Sequence, residues 1–214
     1  YGGWLQRGIH VITPTQKAFS GSLGTYRDLK RRAQQGSSHY FYETTVGAAL
    51  PIVSTLRDLI DTGDDIRSVQ GIFSGTLAYL FNVYDGTTAF SEIVRQAHES
   101  GYTEPDPRDD PSGMDVARKL TILRRYEKAA SDGKKLRYIA KLTADGKASV
   151  GLDAVDATHP FSNINLTDNI VQFETARYSD NPLVVQGPGA GPEVTASGVF
   201  GDLLRLASYL STGH

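Results

Sequence analysis

Gly101-Tyr102-Thr103-Glu104-Pro105-Asp106-Pro107-Arg108-Asp109-Asp110-Pro111-Ser112-Gly113-Met114-Asp115-Val116-Ala117-Arg118-Lys119 is the stretch on which the reading of this chain turns. Its first half is barred from regular secondary structure, because Pro105, Pro107 and Pro111 remove backbone donors and drive the residues before them toward extended geometry. Its second half predicts a helix start. Asp110 suits the N-cap, Pro111 the first helical position, and apolar Met114, Val116, Ala117, Leu120, Ile122 and Leu123 follow. Asp115 and Lys119 then lie four residues apart on one face, and the loop can bring Glu104 and Asp110 near it. Carboxylates gathered around a lysine can bind an ammonium group and deliver a proton. Taken singly, each residue has a plainer role: an exposed i,i+4 pair is usually a solvated ornament, and a capping aspartate only a cap.

Around this stretch the chain has 214 residues, enough for one large domain or two small ones with a proper core. With 22 basic and 24 acidic residues, charge suggests neither a nucleic-acid binder nor a polybasic membrane protein. The absence of cysteine excludes disulfides, thiolate metal sites and a cysteine nucleophile. No apolar run is long enough to span a bilayer.

Toward the N-terminus, residues 8–13 predict a short buried strand, 13–18 a loop, and 25–34 a basic amphipathic helix. Residues 39–43 predict a strand, then a turn through Val46, Gly47 and Ala48, then a helix over 52–60. Residues 66–73 have strand character and lead into Gly71-Ile72-Phe73-Ser74-Gly75-Thr76, whose free amides at a helix start suit an anion or carbonyl. An amphipathic helix over 90–100, capped at Ser91 or its neighbour, delivers the chain to the acidic loop. Beyond it, residues 136–142, 148–155 and 170–178 alternate as strands of an open sheet. Leu183 to Gly191 then leads to an amphipathic helix ending near Leu210. His10, His39, His98 and His159 stand isolated in sequence, without the spacing of a transition-metal site.

The stretch 101–119 resembles the homoserine dehydrogenase signature over nearly its whole length. Two further blocks in the family's order extend the likeness along the chain: Glu43-Thr44-Thr45-Val46-Gly47-Ala48-Ala49-Leu50-Pro51, and Gln186-Gly187-Pro188-Gly189-Ala190-Gly191 with Val194-Thr195-Ala196. The resemblance implies an α/β fold: a partial Rossmann-type nucleotide domain from residues 1–35 and 186–214, and a substrate and dimerisation domain over 36–185 around a mixed open sheet. It implies reversible interconversion of L-aspartate 4-semialdehyde and L-homoserine with NADP or NAD, in threonine, methionine and isoleucine biosynthesis. Lys119 would be catalytic, with Glu104, Asp110, Asp115 and Thr76 binding substrate and Lys17 and Gly191 approaching the cofactor. Carbonyls of Glu43, Val46, Ala48 and Leu50 would hold a monovalent cation, sodium by resemblance.

The same likeness implies a small-molecule substrate, a homodimer or higher homo-oligomer, and a cytoplasmic location with a plastid as the other possibility. Thr15 and Gln16 replace the family's asparagine and first lysine, so only Lys17 matches the second. No G-x-G-x-x-G precedes that point, which leads to the expectation that the chain is part of a longer one. The junction Leu123-Arg124-Arg125-Tyr126 is shorter than the family's connection, as a loop left out or a deletion would make it. The alternative function is a non-catalytic or regulatory paralogue.

Overall fold

The computed structural model describes residues 1–15, 22–100, 114–165 and 167–211, with only the backbone course given for 114–120. The chain forms two compact units, one from 1–61 with 188–214, the other from 62–187. Residues 36–61, expected with the sheet domain, therefore pack with the terminal segments. β2 in this segment pairs with β1, and the 43–50 loop is gripped by the last helix of the chain.

In the first unit, α1 (Gly2–Gln6) precedes β1 (Val11–Ile12), α2 (Leu23–Gln35), β2 (Tyr40–Phe41) and α3 (Ile52–Asp61); α7 (Pro192–Ser211) closes it. β1 and β2 pair in parallel with Val11 opposite Tyr40, and α2 makes the crossover that a parallel pair requires. Both strands are shorter than the sequence suggests, since each pairs along one short segment. Ser22 caps α2 by accepting the Thr25 N–H at 3.3 Å. Leu5, Val11, Leu29, Ala33 and Tyr40 form the core. Gly36, which ends α2, is required by close approach: a Cβ there would lie 1.9 Å from the Leu5 carbonyl. Ser38 donates to that same carbonyl at 2.8 Å, tying α1 to the start of β2.

The second unit holds β3 (Ile66–Ile72), α4 (Gly75–Val83), α5 (Phe90–Glu99), α6 (Met114–Ser131), β4 (Lys134–Thr143), β5 (Ala148–Asp156), β6 (Asp168–Thr175) and β7 (Leu183–Pro188). The sheet is open, in the order β5-β4-β3-β6-β7. Its β5–β4, β4–β3 and β3–β6 pairs run antiparallel. Gly71 sits opposite Val171 where a Cβ would come within 2.5 Å of the Ile170 carbonyl. Ile72, Ala78, Ile139, Phe161, Ile164 and Ile170 form one core. A second cluster joins Leu80, Tyr84, Ile93 and Ala97 to Ile122, Leu123 and Tyr126, so α6 is packed on α4 and α5.

Two local expectations change. α5 has Ala89 at its N-cap with no side-chain bond, and Ser91 lies inside the helix. α6 runs without interruption through Leu123–Tyr126, so the short connection is a continuous helix. Among the described residues, no helix is long and apolar enough to cross a membrane.

Candidate functional site

α6 carries Asp115 and Lys119 in its first turns, and the helical spacing places both on one face. The far end of that helix is fixed. The Tyr126 ring meets Tyr84 edge-on with centroids 5.0 Å apart, and Ala129 packs with Phe81 and Leu136. Side chains of Asp115 and Lys119 lie outside the described residues, as do Glu104 and Asp110 entirely. Thr76 is the fourth member of the expected substrate-binding set. It is half-buried in the first turn of α4, where Ser74 caps the helix by accepting the Leu77 N–H at 3.2 Å. Gly75 beside it lies against Thr167, whose carbonyl would be 3.3 Å from an added Cβ.

In the first unit, the loop from Glu43 to Leu50 contains all four residues expected to offer carbonyl oxygens. Gly47 (φ +69°) and Ala48 (φ +55°) are consecutive left-handed residues. Glycine takes that conformation freely, whereas for alanine it costs on the order of 1–2 kcal/mol. The Glu43 carbonyl accepts only a long 3.4 Å bond from Val46, and the Leu50 carbonyl accepts the Ile52 N–H at 2.8 Å. Among the described residues, no hydrogen bond is made to the carbonyls of Val46 and Ala48. Thr44 adds a buried hydroxyl with no partner among the described residues. Oxygen groups of this kind, on a tightly turned backbone, suit a hard monovalent cation. No group of three or more His, Cys, Asp or Glu that could hold a metal occurs among the described residues, so any ion here would rely on carbonyls.

The Glu43 side chain has a different employment. Its carboxylate accepts the Val53 N–H (Oε1) and the Ser54 N–H (Oε2), both at 2.8 Å, where α3 begins. It thus satisfies two orphan donors at the positive end of a helix. From α7, Asp202 Oδ2 accepts the Glu43 N–H at 3.1 Å. Arg205 Nη1 donates to Asp202 Oδ1 at 3.0 Å and to Glu43 Oε2 at 3.3 Å. Burial pushes the Asp202 carboxyl up from its ordinary value, opposed by the Glu43 N–H and the Arg205 charge.

Of the expected cofactor contacts, Lys17 lies outside the described residues. Gly191 sits just before α7 with φ +122°, a conformation that side chains rarely adopt. The nearest atom to an added Cβ there is Val194 Cγ2 at 3.9 Å, so its backbone is open to approach.

Sequence reasoning treated His10 and His39 as isolated. The fold brings them together, with ring centroids 5.3 Å apart and the His39 N–H donating to His10 Nδ1 at 3.0 Å. His39 also stacks on Tyr209 at 5.1 Å, beside a groove of about 550 Å³ lined by Lys30, Gln34 and Arg57. Only the parallel pairing of β1 with β2 juxtaposes the histidines, and no local pattern announces it. His159 is structural as read: its Nδ1 accepts the Phe161 N–H at 3.1 Å and caps a short 3-10 turn.

A family model described as homoserine dehydrogenase matches residues 51–127 and 124–204. Its two segments meet within α6, at the short connection. The maize protein named bifunctional aspartokinase/homoserine dehydrogenase 2, chloroplastic, is 46% identical over 255 residues, covering 98% of this chain and 28% of its own length. Since 255 exceeds 214 by 41, that relative carries at least 41 residues in the aligned region without a counterpart here. A Schizosaccharomyces pombe protein named homoserine dehydrogenase is 40% identical, with 97% of this chain and 69% of the relative covered. Among solved structures, a hyperthermophilic archaeal homoserine dehydrogenase in complex with NADPH superposes with a TM-score of 0.75 at 25% identity, over 96% of this chain and 66% of that one. The chain thus spans about a quarter of its bifunctional plant relatives and two thirds of its fungal one. The match to the family model extends over most of the chain, and with it the likeness first read in residues 101–119 becomes an assignment: the chain belongs to the homoserine dehydrogenase family.

Proposed function

We propose that the protein is a homoserine dehydrogenase that interconverts L-aspartate 4-semialdehyde and L-homoserine, with the sheet unit binding substrate and the first unit binding the nucleotide. The observation that carries this reading is the signature of residues 101–119 running into α6, in a chain of this family. A bound nicotinamide, NADP or NAD, would supply or accept the hydride. This chain's residues manage the oxygen and the amine. Reduction of the aldehyde leaves charge on its oxygen, and Lys119 donates a proton there; in reverse it takes the hydroxyl proton. Glu104 and Asp115 hold the substrate ammonium, and Asp110 keeps the lysine placed and charged. The open backbone at Gly191 supports a cofactor contact, and Lys17 is its second proposed neighbour.

Two carbonyls in the 43–50 loop without a hydrogen-bond donor among the described residues support a monovalent cation, sodium by resemblance, on Glu43, Val46, Ala48 and Leu50. A homodimer or higher homo-oligomer belongs to the same reading, by resemblance.

The test is homoserine-dependent reduction of NADP, and separately of NAD, by the whole polypeptide. Lys119→Ala is expected to lower kcat by about a hundredfold or more, with the circular dichroism spectrum unchanged. Undiminished kcat in a folded variant, or no turnover by the unaltered protein with either coenzyme, would overturn the reading.

A further inference from the structure

α7 grips the 43–50 loop along one stripe, at Gly198, Asp202 and Arg205, spaced i, i+4 and i+7. At Gly198 the helix backbone comes so close that an added Cβ would lie 2.9 Å from Thr44 Oγ1 and 3.1 Å from Ala49 Cα. One turn on, Asp202 is 1% exposed and takes the Glu43 N–H. A further turn on, Arg205 ties the Asp202 and Glu43 carboxylates together. The Glu43 carboxylate in turn is fastened to the first amides of α3.

The segment so gripped holds Ala48 in a conformation that alanine resists, and points the Val46 and Ala48 carbonyls at no described donor. Strained backbone persists only where its surroundings over-determine it. Here those surroundings come from α7 and α3 together, with Ile52 Cδ1 also 2.5 Å from where a Gly47 Cβ would lie. Two buried carboxylates sharing one arginine are weak evidence for added stability. Their geometry instead fixes the first residue of the loop from both its N–H and its side chain.

We propose that Asp202 and Arg205 are positioning residues for the cation loop: from α7 they hold the Val46 and Ala48 carbonyls in place, and a monovalent cation bound there fastens α7 to the loop. The inference rests on the cation reading given above for the same four residues. It predicts that ion affinity depends on a carboxylate 159 positions away from Glu43. Outer groups that orient ligands commonly carry about 10–100-fold in metal affinity.

The experiment follows the thermal midpoint of the purified chain, and of its variants, in sodium chloride titrated against choline chloride at constant ionic strength. The unaltered protein gains stability with sodium and yields an apparent affinity. Asp202→Ala, which removes both the acceptor for the Glu43 N–H and the partner of Arg205, weakens that affinity by about tenfold or more. Arg205→Met, which leaves the Asp202–Glu43 bond in place, weakens it less. A folded Asp202→Ala variant that loses stability equally in sodium and choline, with unchanged sodium affinity, overturns the positioning role and leaves the cation reading standing. Should Asp202→Ala not fold, Arg205→Met decides: unchanged sodium affinity in that variant overturns the proposal. An unaltered protein that does not respond to sodium, potassium or lithium overturns the cation reading and this inference with it.

Discussion

The backbone N–H of Glu43 donates to the carboxylate of Asp202 at 3.1 Å, joining a turn near the start of the chain to its last helix. With the β1–β2 pairing and the Ser38–Leu5 bond, it holds residues 36–61 to the terminal segments. Local patterning marked the 43–51 stretch as a tight strand-to-helix connection, and nothing local indicated which helix would close over it.

The same helix supplies a paired test. Gly198→Ala and Gly201→Ala both replace a helical glycine, which by propensity alone favours the helix by about 1 kcal/mol. At 201 nothing lies within 4 Å of the new methyl, so a gain of about 0.5–1 kcal/mol is expected. At 198 the methyl meets Thr44 and Ala49, and overpacking of about 1–3 kcal/mol turns the sign. Urea denaturation of the two variants should move in opposite directions; a stabilised Gly198→Ala would contradict the close packing.

Arg137 is buried and bonded entirely to neutral oxygens. It donates to the carbonyls of Phe161 (2.9 Å), Phe81 (2.8 Å), Leu136 (2.9 Å) and Ser162 (3.0 Å), and to Asn82 Oδ1 (2.8 Å). Burial pushes its guanidinium down from the usual value. Arg137→Met leaves those acceptors without their donor and is expected to cost about 3 kcal/mol or more. Arg137→Lys recovers only part of this, because an ammonium cannot reproduce the planar fork. Equal stability of the lysine variant and the parent, by chemical denaturation, would count against the fork as the source.

Asp64 clamps the start of β3 to the end of β6, accepting the Thr175 hydroxyl at 2.8 Å and the Arg177 N–H at 3.2 Å. Burial pushes its carboxyl up. The Thr175 hydroxyl, the N–H groups of Arg177 and Asp65 and the Arg177 charge outweigh that and hold it below the ordinary value. A depressed folded value means that the clamp contributes in full above the unfolded carboxylate range, near about pH 4. The contribution is lost as pH falls through the folded value. The parent should therefore lose stability on acidification more steeply than Asp64→Asn. Parallel acid-unfolding curves would refute this.

Lys119→Arg keeps a positive charge but provides a group that does not release its proton in proteins. The proposed role predicts a collapse in kcat close to that of the alanine variant, with KM for homoserine less affected. A variant with near-parental kcat would show that the residue contributes charge alone.

Most of the element order was legible in the sequence. Alternation over 136–142 and 148–155 marked strands that pair as a hairpin, and residues 71–76 were readable as a helix start, which Ser74 caps. The His10–His39 contact and the α7 grip were not legible. They arise from pairing and packing between distant segments, which leave no periodic trace. The four candidate ligands of the cation loop were named from motif likeness, and the structure shows two of their carbonyls without described donors. The buried Asp202 looked like an ordinary polar residue on an amphipathic helix. Its burial and its bonds to the Glu43 N–H and Arg205 separate it from Glu193 on the same element, which faces water.

Because α6 passes straight through Leu123–Tyr126, the turn carrying Lys119 and the turn seated against the sheet are one rod. A push at one end is felt at the other, with no hinge in between to absorb it. The amine proposed to act on the substrate and the sheet's cover therefore ride on one continuous helix.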